Sequence, residues 1–336
     1  MTAVPALGRV AVIGPHILDV LGRPVETIPP GQGSARLTEI RASAAGTAAG
    51  TAVDLAKLGA SVTTFGAVGA DLLGDIVVAA MGAHGVDTTG VIRTTAAQTS
   101  ATILPIRSNG ERPALHVPGA TRLLTRADLD LSRLAGCAAV LLGGPDALTG
   151  LTANDLAAVV GAAHAGGALV AVDVLHPAPD LARLAGALAR TDWFCPNYDQ
   201  LLALTGRSDV DRAAVDVLAL GTGGVAVTLG ADGCLVTDDP GQLVHVPAIA
   251  AEVVDTTGCG DAFTAGFLAG LLLGCGPVDA AWLGVACGAL VATGLGSDAG
   301  LTDLGQAVEQ VRVANDAVAD RIEARCQRVA EGKLLV

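Results

Sequence analysis

Short apolar runs alternate with longer segments of helical spacing along most of this chain. Arg9-Val10-Ala11-Val12-Ile13-Gly14 is a run ending in glycine, the mark of a central strand that delivers its carboxyl end to a site. Ser61 to Gly66, Ala138 to Leu142, Ala168 to Asp173, Trp193 to Asn197 and Val225 to Leu229 repeat the theme. Between them the pattern predicts a helix opening at Ala44 and stopping at Gly59, another beginning over Val68 to Asp75 and closed by Gly85-Val86-Asp87-Thr88, and a third over Asn154 to Gly166. This rhythm predicts an α/β fold, a mainly parallel sheet covered on both faces.

Two stretches break the rhythm. The chain between Asp19 and Ala45 is Pro-rich, with partial alternation in Ala35 to Arg41, which predicts short strands in an excursion from the main sheet. Gln98 to Arg107 alternates as a strand, Ser108-Asn109-Gly110-Glu111 is a hairpin turn, and Arg112 to Val117 returns. Together they predict a small antiparallel lid, from about 18–45 and 98–118, on a single domain spanning 1–336. Toward the carboxyl end, Cys234 to Thr237 comes back from a turn, Val278 to Thr293 is a buried helix, and Thr302 to Arg328 is an amphipathic helix with a break.

Composition narrows this picture. Hydrophobic residues make up 51% of the 336 positions but aromatics only 2%, so the core is built of Ala, Val and Leu. A net charge of −13 argues against a nucleic-acid or anionic membrane partner. The apolar region Ala262 to Gly296 is interrupted by Gly274 to Asp279, which leaves two pieces too short to cross a bilayer. The seven cysteines have no C-x-x-C spacing and the chain starts without a charged-then-apolar leader, so a reduced, cytoplasmic protein is expected.

The candidate chemistry lies in Val253-Val254-Asp255-Thr256-Thr257-Gly258-Cys259-Gly260-Asp261-Ala262-Phe263. A strand-like approach meets a helical continuation through a turn with two glycines. Such a turn aims backbone N–H groups and the positive end of a helix dipole at an anion. Asp261 at the helix start has two readings. It caps the helix through Phe263 or Thr264, or it removes a proton from a hydroxyl that attacks a phosphoryl group.

The run Asp255 to Asp261 resembles the D-T-x-G-A-G-D signature of the ribokinase family, the phosphofructokinase B-type carbohydrate kinases, with Cys259 where Ala is usual. The resemblance extends from about Val10 to Gly300 in the family's order. It implies a ribokinase-like three-layer sandwich with a β lid, and an ATP- and magnesium-dependent transfer of the γ-phosphoryl group to a sugar or sugar-like hydroxyl. Asp261 is then the base, and the N–H groups of Gly258, Cys259 and Gly260 stabilise the transferred phosphoryl. Asp19, Gly46, Gly50 and Arg112 fall at acceptor-binding places, and Asn197, Thr228, Gly230, Gly233 and Thr257 at nucleotide-binding ones. Asn197 and Gln200 are implied to organise magnesium through water, Asp255 and Thr257 to lie by a potassium site, and the lid to form a homodimer.

The chain departs from the family at Ala45, where a Gly is usual, at Gly50, where an Asn is, and at Gln200, where a Glu is. On this pattern Gln200→Glu is expected to leave activity unchanged or raise it. Arg107 and Arg112 on the hairpin are solvated side chains or reach substrate, and Asp71 and Asp75 are helix N-terminal charges. Alternatives are a nucleoside kinase, a weakly catalytic sugar- or nucleotide-sensing homologue and a nicotinamide-dependent oxidoreductase. The last needs a G-x-G-x-x-G turn that the Gly14-Pro15-His16 region lacks. The scarcity of aromatics favours a small sugar over a nucleoside.

Overall fold

A nine-stranded sheet forms the centre of the computed structural model, which describes residues 6–332; positions 1–5 and 333–336 of the single-domain range fall outside it. The chain opens with β1 (Arg9–Ile13), β2 (Ile17–Arg23), β3 (Glu39–Ala45), α1 (Ala49–Lys57), β4 (Ser61–Gly69), α2 (Leu72–Ala83) and β5 (Asp87–Thr94). β6 (Ser100–Pro105) and β7 (Leu115–Val117) follow. After three short 3-10 turns come β8 (Ala139–Gly143), α3 (Ala153–Ala165), β9 (Leu169–Asp173), α4 (Leu181–Leu188) and β10 (Trp193–Phe194). The remainder is α5 (Tyr198–Thr205), α6 (Val210–Ala219), β11 (Gly224–Thr228), β12 (Cys234–Thr237), β13 (Val244–Val246), α7 (Cys259–Leu272), α8 (Pro277–Val291), α9 (Leu304–Ala314) and α10 (Asp316–Ala330).

The main sheet runs β13-β12-β11-β10-β9-β8-β1-β4-β5, parallel except for the antiparallel pairs at β12 and β13. Alternation in β1 shows how the layers form: Val10 and Val12 join the core beneath α1, α7 and α8, while Ala11 and Ile13 join the core beneath α3 to α6. Each fully buried Val or Leu contributes about 1.5–3 kcal/mol. The apolar run from 262 to 296 resolves into α7 and α8, separated by a turn at 273–276, and no described helix is long and apolar enough to cross a membrane.

The lid is a second sheet in the order β3-β2-β6-β7. β2 pairs antiparallel with β3 and β6 with β7, but β2 and β6 pair in parallel, so the lid is not wholly antiparallel as predicted. The reason is topological. β1 and β5 point the same way in the main sheet, and the chain runs from each straight on into the lid.

Other differences are local. The helix predicted from Ala44 starts at Ala49, because residues 39–45 are held in register against β2. β5 continues the sheet past Thr88, where the pattern suggested the unit closed, and its mixed burial hides the alternation. β7 has three residues, which leaves Arg112 in the lid loop. The predicted break in the terminal helix falls at Asn315, whose side chain accepts from Val318 N–H at 3.2 Å.

Candidate active site

The turn into α7 is set by Gly258, the N-cap residue, whose φ of +82° lies in the left-handed region. A Cβ there would lie 2.4 Å from Ser297 Cα. The first-turn N–H groups of any helix lack intrahelical acceptors, and in α7 this turn borders a cleft of about 960 Å³. At Gly260 a Cβ would meet nothing within 4 Å, so the backbone there is open to that space.

Asp261 is the third residue of α7, and α7 has no side-chain cap, so the capping reading is excluded. Its carboxylate lines the cleft. Its pKa is pushed up to about 7, first by burial and then by the Asp19 carboxylate, with Arg112 opposing. Behind it, a Cβ on Gly50 of α1 would lie 2.8 Å from Asp261 Oδ2. Gly50 therefore backs the Asp261 side chain and does not line the cleft. Burial, with Asp261 next, also drives the Asp173 pKa well up; Asp173 ends β9 and accepts from Thr264 Oγ1 at 3.2 Å.

The lid forms the facing wall. Asp19, Thr102 and Leu104 point inward with His116, and Ala45, Gly46 and Thr47 close the base. Asp19 is held at a pKa of about 6, raised chiefly by burial and lowered by its bond from Thr102 and by Arg112. Arg112 spans the gap between the layers, its Nε donating to Thr256 Oγ1 at 3.1 Å, so the hairpin arginine reaches the anion turn. Arg107 instead pairs with Glu111 within its own turn. Thr47 Oγ1 is buried and has no partner among the described residues.

The other end of the cleft is bounded by Asn197, Tyr198, Asp199, Thr228, Gly230 and Asp232. Gly233 does not line it; its φ is +93°, and a Cβ would lie 2.0 Å from Val246 O, so its place is set by the β12–β13 packing. Asn197 and Gln200 form a capping box on α5, with Asn197 Oδ1 accepting from Gln200 N–H at 2.9 Å and Gln200 Oε1 from Asn197 N–H at 2.8 Å. Gln200 Nε2 also donates to Val174 O at 2.9 Å. This gives Gln200 a role of its own and revises the expectation for Gln200→Glu. The variant would set a buried carboxylate against a carbonyl, and we expect chemical denaturation to show a loss of about 1–3 kcal/mol.

Asp255 is buried and ties two loops together. Its Oδ1 accepts from Thr257 N–H at 3.0 Å and Thr257 Oγ1 at 2.9 Å, and its Oδ2 from Gly296 N–H at 3.0 Å. Ser297 Oγ donates to Ala44 O at 2.9 Å, which links the same loop to the lid strand β3. The Cys259 side chain does not line the cleft and its N–H lies 3.4 Å from Thr256 O; burial pushes its thiol up to about 12, which keeps it protonated. Asp71 caps α2 by accepting from Gly74 N–H at 2.9 Å, and Asp75 pairs with Arg93 at 2.6 Å, as their helix N-terminal reading required. No cluster of three or more metal-binding side chains occurs among the described residues.

Sequence reasoning did not single out Thr47, Thr102, His116, His176 or Ser297, all of which line the cleft. Thr102 and His116 carried a signal in the hairpin alternation, but the β2–β6 register is needed to place them beside Asp19.

The comparisons agree with this geometry. The pfkB family carbohydrate kinase description matches residues 8–304. The chain is 29% identical over 281 residues to a deoxyribokinase of Salmonella typhi, covering 81% of this chain and 88% of that protein. It superimposes on Arabidopsis thaliana ribokinase complexed with ribose and ATP with a TM-score of 0.76 at 23% identity, covering 92% and 99% of the two chains. A putative ribokinase II of E. coli with ATP and magnesium gives a TM-score of 0.76 at 22% identity, covering 91% and 99%. The match spans the sheet, the lid and the anion turn alike, and the chain belongs to the pfkB family of carbohydrate kinases, with a ribokinase-like fold.

Proposed function

We propose that this kinase transfers the γ-phosphoryl group of ATP to a hydroxyl of a small sugar, with Asp261 as general base. The observation that carries the reading is the Asp261 carboxylate: it is in the first turn of α7, takes no part in capping and faces Asp19 across the cleft. A carboxylate placed there for packing alone would be costly beside an anion site.

Asp19 accepts hydrogen bonds from acceptor hydroxyls and orients one toward the α7 turn. Asp261 takes that hydroxyl's proton as its oxygen bonds to the γ-phosphorus, and the bond to the β-phosphate oxygen breaks to release ADP. The N–H groups of Gly258, Cys259 and Gly260 stabilise the charge on the moving group, and Arg112 adds a positive charge from the lid. Thr228, Gly230 and Thr257 border the nucleotide's place.

When bound, magnesium would supply positive charge to offset that of the phosphate groups. The acceptor oxygens of Asn197 and Gln200 are spent on capping, so the exposed Asp199 carboxylate is the group left to hold it through water. Asp255 and Thr257 would hold a potassium ion, which suits a buried carboxylate that meets only neutral donors.

Tyr198 is the one Phe, Tyr or Trp among the described residues lining the cleft, and it lies at the nucleotide end. The acceptor end has no Phe, Tyr or Trp on which a base could stack, which favours a sugar over a nucleoside. Ile40, Ile103, Leu115 and Val117 are exposed on the lid, which supports a homodimer through that sheet. Sedimentation is expected to show a dimer. Seven free cysteines support a reducing, cytoplasmic setting.

The pKa of about 7 at Asp261 fixes a pH dependence, since only the ionised carboxylate takes the proton. We expect kcat/KM for the acceptor to level off above about pH 7 and to fall by about tenfold per unit below it. Arg112→Ala removes the charge that favours ionisation, so the acid limb should shift to higher pH. A screen for ADP release against sugars, sugar acids, sugar phosphates and nucleosides tests the whole reading. Release with none of them would overturn it.

A further inference from the structure

The lid carries a polar row that the mechanism above does not use fully. In the β2–β6 register Asp19 lies opposite Thr102, and in the β6–β7 register Thr102 lies opposite His116. Directly opposed residues share a face, and all three side chains line the cleft. Thr102 Oγ1 is 3.1 Å from His116 Nδ1.

Proton counting fixes the direction of these bonds. A carboxylate only accepts, so the single hydroxyl proton of Thr102 goes to Asp19. Thr102 Oγ1 is then left to accept, and His116 Nδ1 must carry the proton it receives. In a neutral ring Nε2 is then a bare lone pair, and it has no hydrogen-bond partner among the described residues. The ring is held neutral by its surroundings. Burial and the nearby His176 both lower the His116 pKa, while Asp19, beyond Thr102, and Arg112, in the adjoining loop, are the other charged groups on this face. His176 has its own partner, Nδ1 lying 2.9 Å from Asp146. The base of the cleft holds a second unpartnered polar atom, the buried Thr47 Oγ1.

We propose that His116, fixed by Thr102 in its Nδ1–H tautomer, is a specificity-determining residue that accepts a hydrogen bond from an acceptor hydroxyl, so that the lid selects a neutral polyol over one bearing phosphate or carboxylate at that position. A hydroxyl donates to a bare Nε2, whereas an anionic oxygen meets it lone pair to lone pair. Thr102 is the positioning residue. The proposal rests on the kinase reading, and its test separates the two.

Nitrogen-15 NMR of the full chain labelled at histidine reports the tautomer without any turnover. His116 is expected in the Nδ1–H form, and Thr102→Val should mix the tautomers. In kinetics with a panel of neutral pentoses and hexoses, His116→Phe should raise the acceptor KM by about threefold to tenfold, the worth of one neutral hydrogen bond. The kcat and the KM for ATP should stay within about twofold, and His116→Gln, whose amide oxygen accepts, should restore most of the loss. Wild type should prefer each sugar to its phosphate ester. His116 is only partly buried, so these variants should fold. An Nε2–H tautomer, an unchanged KM in His116→Phe or a preference for the esters would overturn the proposal. Should no acceptor be phosphorylated, the kinase reading fails by itself. Calorimetric binding of the same sugars then decides: weakening by His116→Phe supports the proposal, and equal binding or none overturns it.

Discussion

Asp261→Asn is expected to lose phosphoryl transfer by about 10²–10⁴-fold, the range that a positioned general base contributes, while ATP still binds. Asn has the same shape and removes a negative charge from beside the bound phosphates, so nucleotide affinity measured by calorimetry should hold or improve. Stability should move the other way from activity. The folded-state pKa of Asp261, about 7, lies above its ordinary 3.8, so the folded protein holds this proton more tightly than the unfolded chain does. Its ionisation therefore costs stability as pH rises from about 4 to 7, and the cost is fully present above that. Asn does not ionise, so at pH 8 the variant should melt at a higher temperature than wild type, and near pH 4 the difference should vanish. An inactive variant that is more stable identifies a carboxylate kept for chemistry. Near-wild-type turnover would show that the base assignment is wrong.

Gly258→Ala is expected to have the next largest effect. The left-handed backbone, at φ +82°, costs a non-glycine residue about 1–2 kcal/mol. The added Cβ would also lie 2.4 Å from Ser297 Cα, and Ser297 cannot simply withdraw. Its hydroxyl is bonded to Ala44 O in the lid strand, and its neighbour Gly296 donates to Asp255. The turn itself must give way, taking its N–H groups off the position of the transferred phosphoryl. Losing one such donor costs about 10²–10³ in kcat, so a fall of that order is expected with a lowered melting temperature. Gly260→Ala is the contrast. Its Cβ meets nothing within 4 Å, so the fold should keep its stability while the new methyl crowds the phosphate and weakens ATP binding. Equal effects from the two substitutions would mean that the turn geometry is not what matters.

The main architecture was legible because parallel sheets write themselves as separate apolar runs, and β1, β8 and β9 fall within a residue or two of where those runs lie. Edge elements were less so. β5 mixes buried and half-exposed positions, and the parallel β2–β6 pairing depends on where two distant segments leave the main sheet. The turn into α7 was readable as a local pattern, since its glycines and Asp261 are contiguous. Whether Asp261 caps the helix depends on where α7 begins, and its start after the left-handed Gly258, three residues earlier, is contained in no sequence pattern. Gly50 shows the same limit. Read as a lost amide, it proves to be the space into which Asp261 fits. Gln200 likewise carries a helix cap and a bond to the Val174 carbonyl, and that meaning depends on α5 packing beside the end of β9.

The central claim is that the cleft moves a phosphoryl group from ATP to a sugar hydroxyl. Phosphorus-31 NMR of the wild-type protein with ATP, magnesium and a panel of neutral sugars tests it most directly. The γ-phosphate signal is expected to fall as ADP and a new phosphomonoester rise in equal amounts, with Asp261→Asn leaving the spectrum unchanged over the same time. ADP appearing with inorganic phosphate alone, or a phosphomonoester forming equally well in the Asp261→Asn variant, would contradict it.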